Sequence, residues 1–266
     1  MRKKIEVAKI TFTQALREKA FSIVLLSSLL VALFIPVVGS LSMFEISNTV
    51  MGFVLSYVNL SVLIISSVIM MTVFQLDLER KTLQFILSLP ISRGDYVIGR
   101  YMGFLSFGAV STFSIVFILY PPLAYYIRSN PNFVNLSILY FMYGIFLLIE
   151  LSILIAFALL FVSLSSKVVI TVFGVFSVYI TGHSIDDVVE FMSTHKGMGV
   201  TGFSEGIITI AKYILPNLSV FDLKVNFVYG KGISAVSLIL SAAYGILYSL
   251  LIVLLAVEIF KYKEIF

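Results

Sequence analysis

One acidic residue lies in the middle of a long apolar run. Glu150, in the sequence LLIELSIL, is surrounded by enough apolar residues to cross a bilayer. An acid at that depth costs about 2.5 to 3.5 kcal/mol on insertion scales, so its side chain must face protein or a polar cavity. Two roles remain open: a structural hydrogen bond inside a helix bundle, or the lining of a polar path. Asn59, at a similar depth in an earlier run, is the candidate partner.

A second set of ligand-type side chains occurs in the sequence HSIDDVVE. His183, Asp187 and Glu190 have the i, i+4, i+7 spacing that places three side chains on one helical face, where a metal could bind. Copper prefers thiolate, thioether or imidazole ligands, but the chain has no cysteine and only one other histidine, His195. The sequence therefore favours a solvated helix outside the membrane over a metal site.

Motifs for catalysis are missing from the sequence. There is no Ser–His–Asp set, no Cys–His pair, no H-E-x-x-H and no G-x-x-x-x-G-K-[S/T] phosphate-binding loop. The nearest string, YGKGIS, lacks the upstream glycine of that loop. We therefore expect neither an enzyme active site nor a cofactor in this chain.

The composition indicates lipid as the solvent. The chain has 266 residues, of which 60% are hydrophobic and 12% charged, about half the charged fraction of a soluble domain. The absence of cysteine excludes a disulfide framework and thiolate metal sites. The net charge of +4 is concentrated near the ends of apolar runs and does not indicate a nucleic-acid partner. The predicted fold class is all-α, a polytopic membrane protein with one transmembrane domain.

Six apolar runs predict six membrane spans. They are Ala20–Leu41, Val50–Phe74, Val97–Tyr120, Leu136–Leu160, Val168–Gly182 and Ile233–Phe260. Residues 1–19 precede them with apolar positions at helical spacing among basic residues, a pattern typical of a helix in the membrane interface. Its predicted apolar stripe is Ile5, Ala8, Phe12, Ala15 and Leu16. A frayed tail is the alternative.

The distribution of basic residues predicts the orientation. With the N-terminus inside, 13 of the 18 Lys and Arg residues lie on the cytoplasmic side, as the positive-inside rule requires. Both termini are then cytoplasmic, with residues 261–266 as a tail, and the bilayer is expected to be the cell membrane. On the outer side, the proline pair in YPPLAYY is expected to end the third span, and its tyrosines to form an aromatic belt.

A long outer segment, residues 183–232, separates the fifth and sixth spans. Its sequence FSEGIITIAKYILPNLSVFDL is apolar enough to dip into the membrane but too interrupted to cross it. We expect a re-entrant or interfacial helix that ends near Pro216.

A charged cytoplasmic segment, residues 75–92, separates the second and third spans. Residues 78–89 have a helical pattern that Pro90 ends, and Ser92 and Asp95 then form a capping-box pattern. Gly99 and Gly103 follow as a small-residue pair suited to close packing. A short exposed amphipathic helix here either docks in a groove of a cytoplasmic partner or merely connects two spans.

The run ERKTLQFILSLPISRGDYVIGRYMG resembles the signature of permeases of ATP-binding-cassette (ABC) transporters of the type-2 exporter class. The matching positions are Glu79, Thr82, Leu83, Leu87, Ser88, Pro90, Ser92, Arg93, Tyr96, Gly99 and Arg100. Lys81 departs from the pattern, because many members have glycine there. The outer LPNLSVFDL, residues 215–223, is similar to a marker of the subgroup named for multi-copper-enzyme maturation.

The resemblance implies a permease subunit that couples to a separate ABC ATP-binding subunit, which would hold ATP and Mg. A second copy of the chain, or a sister permease, would complete the path. The implied docking residues are Asp77, Glu79, Arg80, Lys81, Thr82, Leu83, Gln84, Ile86, Leu87, Pro90 and Arg93. The implied outer motif comprises Leu215, Pro216, Asn217, Phe221 and Asp222.

Two other functions remain open. One is an ion- or proton-coupled secondary transporter that uses Glu150, and the other is a membrane assembly or scaffold factor. The first should have a pseudo-symmetric repeat or paired broken helices, and neither is visible in the sequence. Span faces and motifs indicate no particular cargo.

Overall fold

Long apolar runs become long helices throughout this chain. The computed structural model describes residues 2–42, 45–79, 92–128, 130, 133–165, 167–194, 215–228 and 234–262. Its α-helices are α1 (Arg2–Leu16), α2 (Lys19–Leu41), α3 (Ile46–Glu79), α4 (Arg93–Ile127), α5 (Phe133–Leu164), α6 (Val168–Thr194), α7 (Lys224–Val228) and α8 (Ala235–Tyr262). A 3-10 helix covers Ser219–Phe221, and the described residues contain no strand.

Five helices among the described residues are long and apolar enough to cross a membrane: α2, α4, α5, α6 and α8. The predicted all-helical membrane fold is therefore confirmed. The second predicted span lies within α3, a continuous helix of 34 residues. Because side chains in much of the second half of α3 lie outside the described part, the count of six spans stays a prediction.

The third predicted span is longer than its prolines suggested. Pro121 and Pro122 lie inside α4, which continues to Ile127, so the prediction that they end the span was wrong. Proline is tolerated within membrane helices because neighbouring groups and small backbone adjustments compensate for the lost hydrogen bonds. The helix still has regular geometry beyond the prolines, since the Arg128 N–H donates to the Ala124 carbonyl oxygen at 3.0 Å.

The fifth predicted span is also longer than expected. The apolar run ends at Gly182, but α6 continues for twelve more residues to Thr194, so the first part of the predicted outer segment is helical and continuous with the fifth predicted span. The sequence after Gly182 keeps helical periodicity and contains no proline, and therefore the backbone has no reason to leave the helix.

The centre of the bundle is α5. Every residue from Glu150 to Leu159 is buried, and α5 contacts α3, α4, α6 and α8. The outermost described span is α2, whose side chains Leu26, Leu33 and Phe34 are more than half exposed. Exposed apolar side chains are the expected surface of a helix that faces lipid rather than water.

The N-terminal helix packs lengthwise against α4. A Cβ at Gly99 would lie 2.7 Å from the Cβ of Val7 and 2.9 Å from the Lys4 carbonyl oxygen, so only glycine permits this approach. The buried row of α1 is Val7, Thr11 and Ala15. Of the predicted apolar stripe, Ala15 belongs to this buried row, whereas Ile5 is 58% exposed. The placement of α1 in the membrane interface stays a prediction.

Candidate functional site

The predicted docking residues fall mostly outside the part of the chain that the structure describes. Asp77 and Glu79 belong to the last turn of α3, and Arg93 is the first residue of α4. The others, Arg80, Lys81, Thr82, Leu83, Gln84, Ile86, Leu87 and Pro90, lie outside the described residues. The docking helix stays a prediction, while the helices on either side of it are described.

The start of α4 is capped as the sequence predicts and contacts both ends of the described fold. The Ser92 Oγ accepts a hydrogen bond from the Asp95 N–H at 3.1 Å, which satisfies one of the free N–H groups of the first turn. The Asp95 carboxylate pairs with Lys4 Nζ of α1 at 3.2 Å. Arg93 Nη1 donates to the carbonyl oxygen of Lys261, near the end of α8, at 2.9 Å.

Two turns further along α4, Arg100 is almost completely buried, with 1% of its surface exposed. Its Nη1 donates to Gln14 Oε1 of α1 at 3.0 Å, and its Nε donates to the Tyr96 hydroxyl at 3.2 Å. The Tyr96 ring stacks on Phe260 of α8 at 6.0 Å. Sequence reasoning counted Arg100 as a cytoplasmic base and missed its burial. The sequence signal for this burial was Tyr96, which lies four residues earlier on the same helical face and can accept a hydrogen bond from Arg100.

Glu150 is buried in α5, as its sequence context predicts, with 1% of its surface exposed. Its partner is His183 of α6, whose Nε2 lies 3.6 Å from Glu150 Oε1. Neither carboxylate oxygen has a hydrogen-bond partner within the described ranges. The predicted partner, Asn59, makes no hydrogen bond to Glu150, because it approaches a different residue of α5.

That residue is Tyr143, two turns before Glu150 on the same helix. The Asn59 side chain on α3 approaches the Tyr143 hydroxyl but makes no hydrogen bond of good geometry. Within the described part of the chain, Asn59 Oδ1 and the Tyr143 hydroxyl therefore have no partner. Helices α3, α5 and α6 thus enclose four polar residues, Asn59, Tyr143, Glu150 and His183, which we call the polar cluster.

The position of His183 corrects the interpretation of HSIDDVVE as a solvated outer helix. His183 lies inside α6, its ring packs on Tyr179 at a centroid distance of 4.4 Å, and it faces Glu150. Asp187 is exposed, and the side chain of Glu190 lies outside the described residues. Within those residues, no group of three His, Cys, Asp or Glu side chains is arranged to hold a metal.

The acid of this stretch that makes structural contacts is Asp186, which the sequence reasoning passed over. Its Oδ2 accepts hydrogen bonds from Asn217 Nδ2 at 2.8 Å and from Ser219 Oγ at 2.6 Å. The Asn217 N–H donates to the Tyr244 hydroxyl of α8 at 3.0 Å. The predicted outer motif therefore joins α6 to α8 through Asn217.

Apolar contacts fix the same segment, residues 215–228, in the bundle. The Leu218 N–H donates to the Gly182 carbonyl oxygen at 2.9 Å. A Cβ at Gly182 would lie 2.8 Å from the carbonyl oxygen of Pro216, so a larger residue would displace the segment. Phe221 is fully buried and packs against Phe146 of α5. Pro216 is buried and Leu215 is partly buried.

The 215–228 segment reaches the polar cluster. Asp222 and Lys224 form an ion pair at 3.6 Å, and both act electrostatically on Glu150. The Phe227 ring packs on the Tyr143 ring at 5.9 Å. Acid, imidazole, phenol and amide groups therefore converge in the bundle, an arrangement that can bind water or protons but lacks an activated nucleophile.

Comparison with known proteins agrees with this fold. A family model described as "ABC-2 family transporter protein" matches residues 15–247, from the end of α1 into α8. No curated protein matches the chain significantly. Because the family match covers most of the chain and includes four of the five apolar spans and part of α8, the chain belongs to the ABC-2 family of transporter proteins.

Proposed function

We propose that this chain is the permease of an ATP-driven exporter that works with a separate ATP-binding subunit. Membership of the ABC-2 family makes it a permease component of an ABC transporter and a multi-pass membrane protein. Proteins of this family generally pair with an ATP-binding subunit. The family match over residues 15–247 carries the proposal. The exporter class is supported by the sequence from Glu79 to Arg100.

The docking segment would transmit the motion of the ATP-binding subunit into the bundle. ATP-driven closure of two such subunits would displace residues 75–92 and, through them, the start of α4. That start contacts α1 through Asp95 and Lys4, and α8 through Arg93 and Lys261. A displacement there would reach three helices, which favours coupling over a simple connection between spans.

The assembly would contain two permease chains, as a homodimer or with a sister permease, in the cell membrane. Both termini would be cytoplasmic, and α3, which contains the second predicted span, would bring the number of spans to six. ATP and Mg would bind to the partner subunit, with no cofactor in this chain and no nucleic acid among the partners. The sequence Leu215–Leu223 supports placement in the multi-copper-enzyme-maturation subgroup.

Substitutions in the docking segment test the proposal. In the complex with its ATP-binding subunit, Glu79→Lys and Leu83→Asp should uncouple ATP hydrolysis from transport without preventing membrane insertion. The matched control is Asp187→Lys, at an exposed position on α6, where transport should be unchanged. Coupled transport that survives both docking substitutions would contradict the docking role, and a purified active protein without an ATPase would contradict the proposal as a whole.

A secondary transporter is the second candidate, because Glu150 and His183 place a titratable pair inside the bundle. That candidate requires transport by the purified chain in proteoliposomes, driven by an ion gradient without ATP. Transport that depends on ATP and the partner subunit excludes it. An assembly or scaffold factor would transport nothing under either condition.

A further inference from the structure

The contact between Glu150 and His183 brings two hydrogen-bond acceptors together. His183 Nδ1 lies 3.2 Å from the carbonyl oxygen of Tyr179. A carbonyl oxygen only accepts hydrogen bonds, so Nδ1 must carry the hydrogen. In a neutral imidazole, Nε2 is then an acceptor, and this atom faces Glu150 Oε1 at 3.6 Å.

Without a proton between these two atoms, the contact is unfavourable. Glu150 is 1% exposed, and in the described part of the chain neither of its oxygens, nor His183 Nε2, has a hydrogen-bond partner. An ionised carboxylate that is buried without partners is strongly destabilised. A lone pair of Nε2 directed at that carboxylate adds repulsion.

We propose that Glu150 and His183 form a proton-binding site that holds one proton between Oε1 and Nε2. The proton resides either on the carboxyl group, which then donates to Nε2, or on the imidazole, which then pairs with the carboxylate. Both forms have zero net charge and replace the acceptor–acceptor contact by a hydrogen bond. The proton comes from water and returns to water, and no covalent bond to another group forms or breaks.

The net charge at the centre of the bundle depends on this proton, because the surrounding groups contribute little net charge of their own. Tyr143 of α5 and Tyr179 of α6 are the described phenol groups that interact electrostatically with Glu150. Among the described residues, Asp222 and Lys224 are the charged groups that act on Glu150. These two pair with each other at 3.6 Å, so their charges largely offset each other. Release of the proton would therefore leave one net negative charge in the centre of the bundle.

The histidine content of the chain permits a direct test. The sequence has two histidines, so labelling histidine with ¹⁵N in a His195→Gln variant leaves the ring of His183 as the one labelled imidazole. Its ¹⁵N chemical shifts report which nitrogen carries hydrogen. We expect a protonated Nδ1 at all pH values, and an Nε2 signal that moves as alkaline pH removes the proton. An Nε2–H tautomer with an unprotonated Nδ1 would overturn the proposal.

Glu150→Gln provides the second measurement. The amide retains the shape of the side chain and donates a permanent N–H to Nε2, so the shift of the Nε2 signal in the alkaline range should be lost. Glu258→Gln is the matched control, because Glu258 is an exposed acid on α8, and it should leave the shift unchanged. Identical titration of His183 with and without the Glu150→Gln substitution would overturn the proposal. If Glu150→Gln fails to fold, the tautomer and titration measured with Glu150 in place still decide the matter.

This inference does not depend on the proposed function. A bundle that binds one proton at this position could belong to a permease of either candidate type. Failure of the docking test would leave the ¹⁵N result unaffected, and the reverse is also true.

Discussion

Arg100 is, among the described residues, the largest side chain that is almost completely buried. Its guanidinium joins Gln14 of α1 to Tyr96 of its own helix, and its Cζ lies 5.3 Å from the centroid of the Tyr96 ring, within the range of a cation–π contact. A planar guanidinium can make these contacts together, whereas a lysine ammonium cannot. This residue therefore connects α1 to α4 more specifically than apolar packing would.

Replacement of Arg100 by alanine should destabilise the protein by about 2 to 4 kcal/mol, since two hydrogen bonds from a buried charged donor, one to Gln14 and one to Tyr96, are lost. Thermal unfolding of the purified protein in detergent measures the change. Arg17→Ala removes an exposed arginine just after α1 and should have little effect. Equal loss of stability in both variants would contradict the structural role of Arg100.

Single residues differ in how well the sequence predicts them. The burial of Glu150 and the Ser92 cap depend on local sequence, and both predictions are confirmed. The partner of Glu150 depends on how α5 packs against α6, and no periodicity within one helix contains that information. Depth alone therefore suggested Asn59, whereas His183 occupies the position.

Among the helices, α1 packs lengthwise and closely against α4. Gly99 and Gly103 let the backbones approach, and Thr11 is completely buried at the interface. The Thr11 hydroxyl donates to the Val7 carbonyl oxygen at 2.8 Å, so its burial leaves no unsatisfied donor. The small residues thus allow a close approach of the two backbones here, as they do between membrane spans.

Gly99→Ala should destabilise this contact by about 1 to 3 kcal/mol, the usual cost of overpacking. The cause is the carbonyl oxygen of Lys4, a backbone atom 2.9 Å from the new Cβ. Gly52→Ala is the matched control, because its Cβ would meet only Val228 at 3.8 Å and the higher helix propensity of alanine should offset any loss. Thermal unfolding compares the two. A neutral Gly99→Ala would show that α1 can shift away without cost.

Asp186→Ala should release the 215–228 segment, because Asn217 and Ser219 lose their shared acceptor. We expect hydrogen–deuterium exchange at the Leu218 N–H to rise by about tenfold or more, the consequence of losing about 1.4 kcal/mol of local stability. Asp187→Ala, one position further and exposed, should leave the exchange rate unchanged. Identical exchange in both variants would contradict the role assigned to Asp186.

The ends of the helices were harder to predict than the helices themselves. The first predicted span, Ala20–Leu41, agrees with α2 to within one residue, because its apolar run has polar residues at both boundaries. The third and fifth spans extend past a proline pair and past Gly182. In both cases the helix continues beyond the local signal that was expected to end the span, a proline pair or the end of an apolar run, since helical geometry continues wherever tertiary contacts support it.

For the molecule as a whole, the predicted orientation is open to a simple labelling experiment, because the sequence contains no cysteine. We expect Arg128→Cys, after α4, to react with a membrane-impermeant maleimide in intact cells. Lys167→Cys, between α5 and α6, should react only after permeabilisation. Both positions are exposed in the structure, so burial would not prevent the reaction. The opposite pattern would invert the bundle and place the docking segment outside the cell.

The contacts at the start of α4 also affect how the chain is made. Arg93 and Tyr96 contact Lys261 and Phe260, which the ribosome adds more than 160 residues later. Because segments fold as they emerge, the packing at the start of α4 is incomplete until α8 has been inserted. A nascent chain that stops short of Phe260 would lack the ring on which Tyr96 stacks, so the start of α4 is fully packed only after α8 has been made.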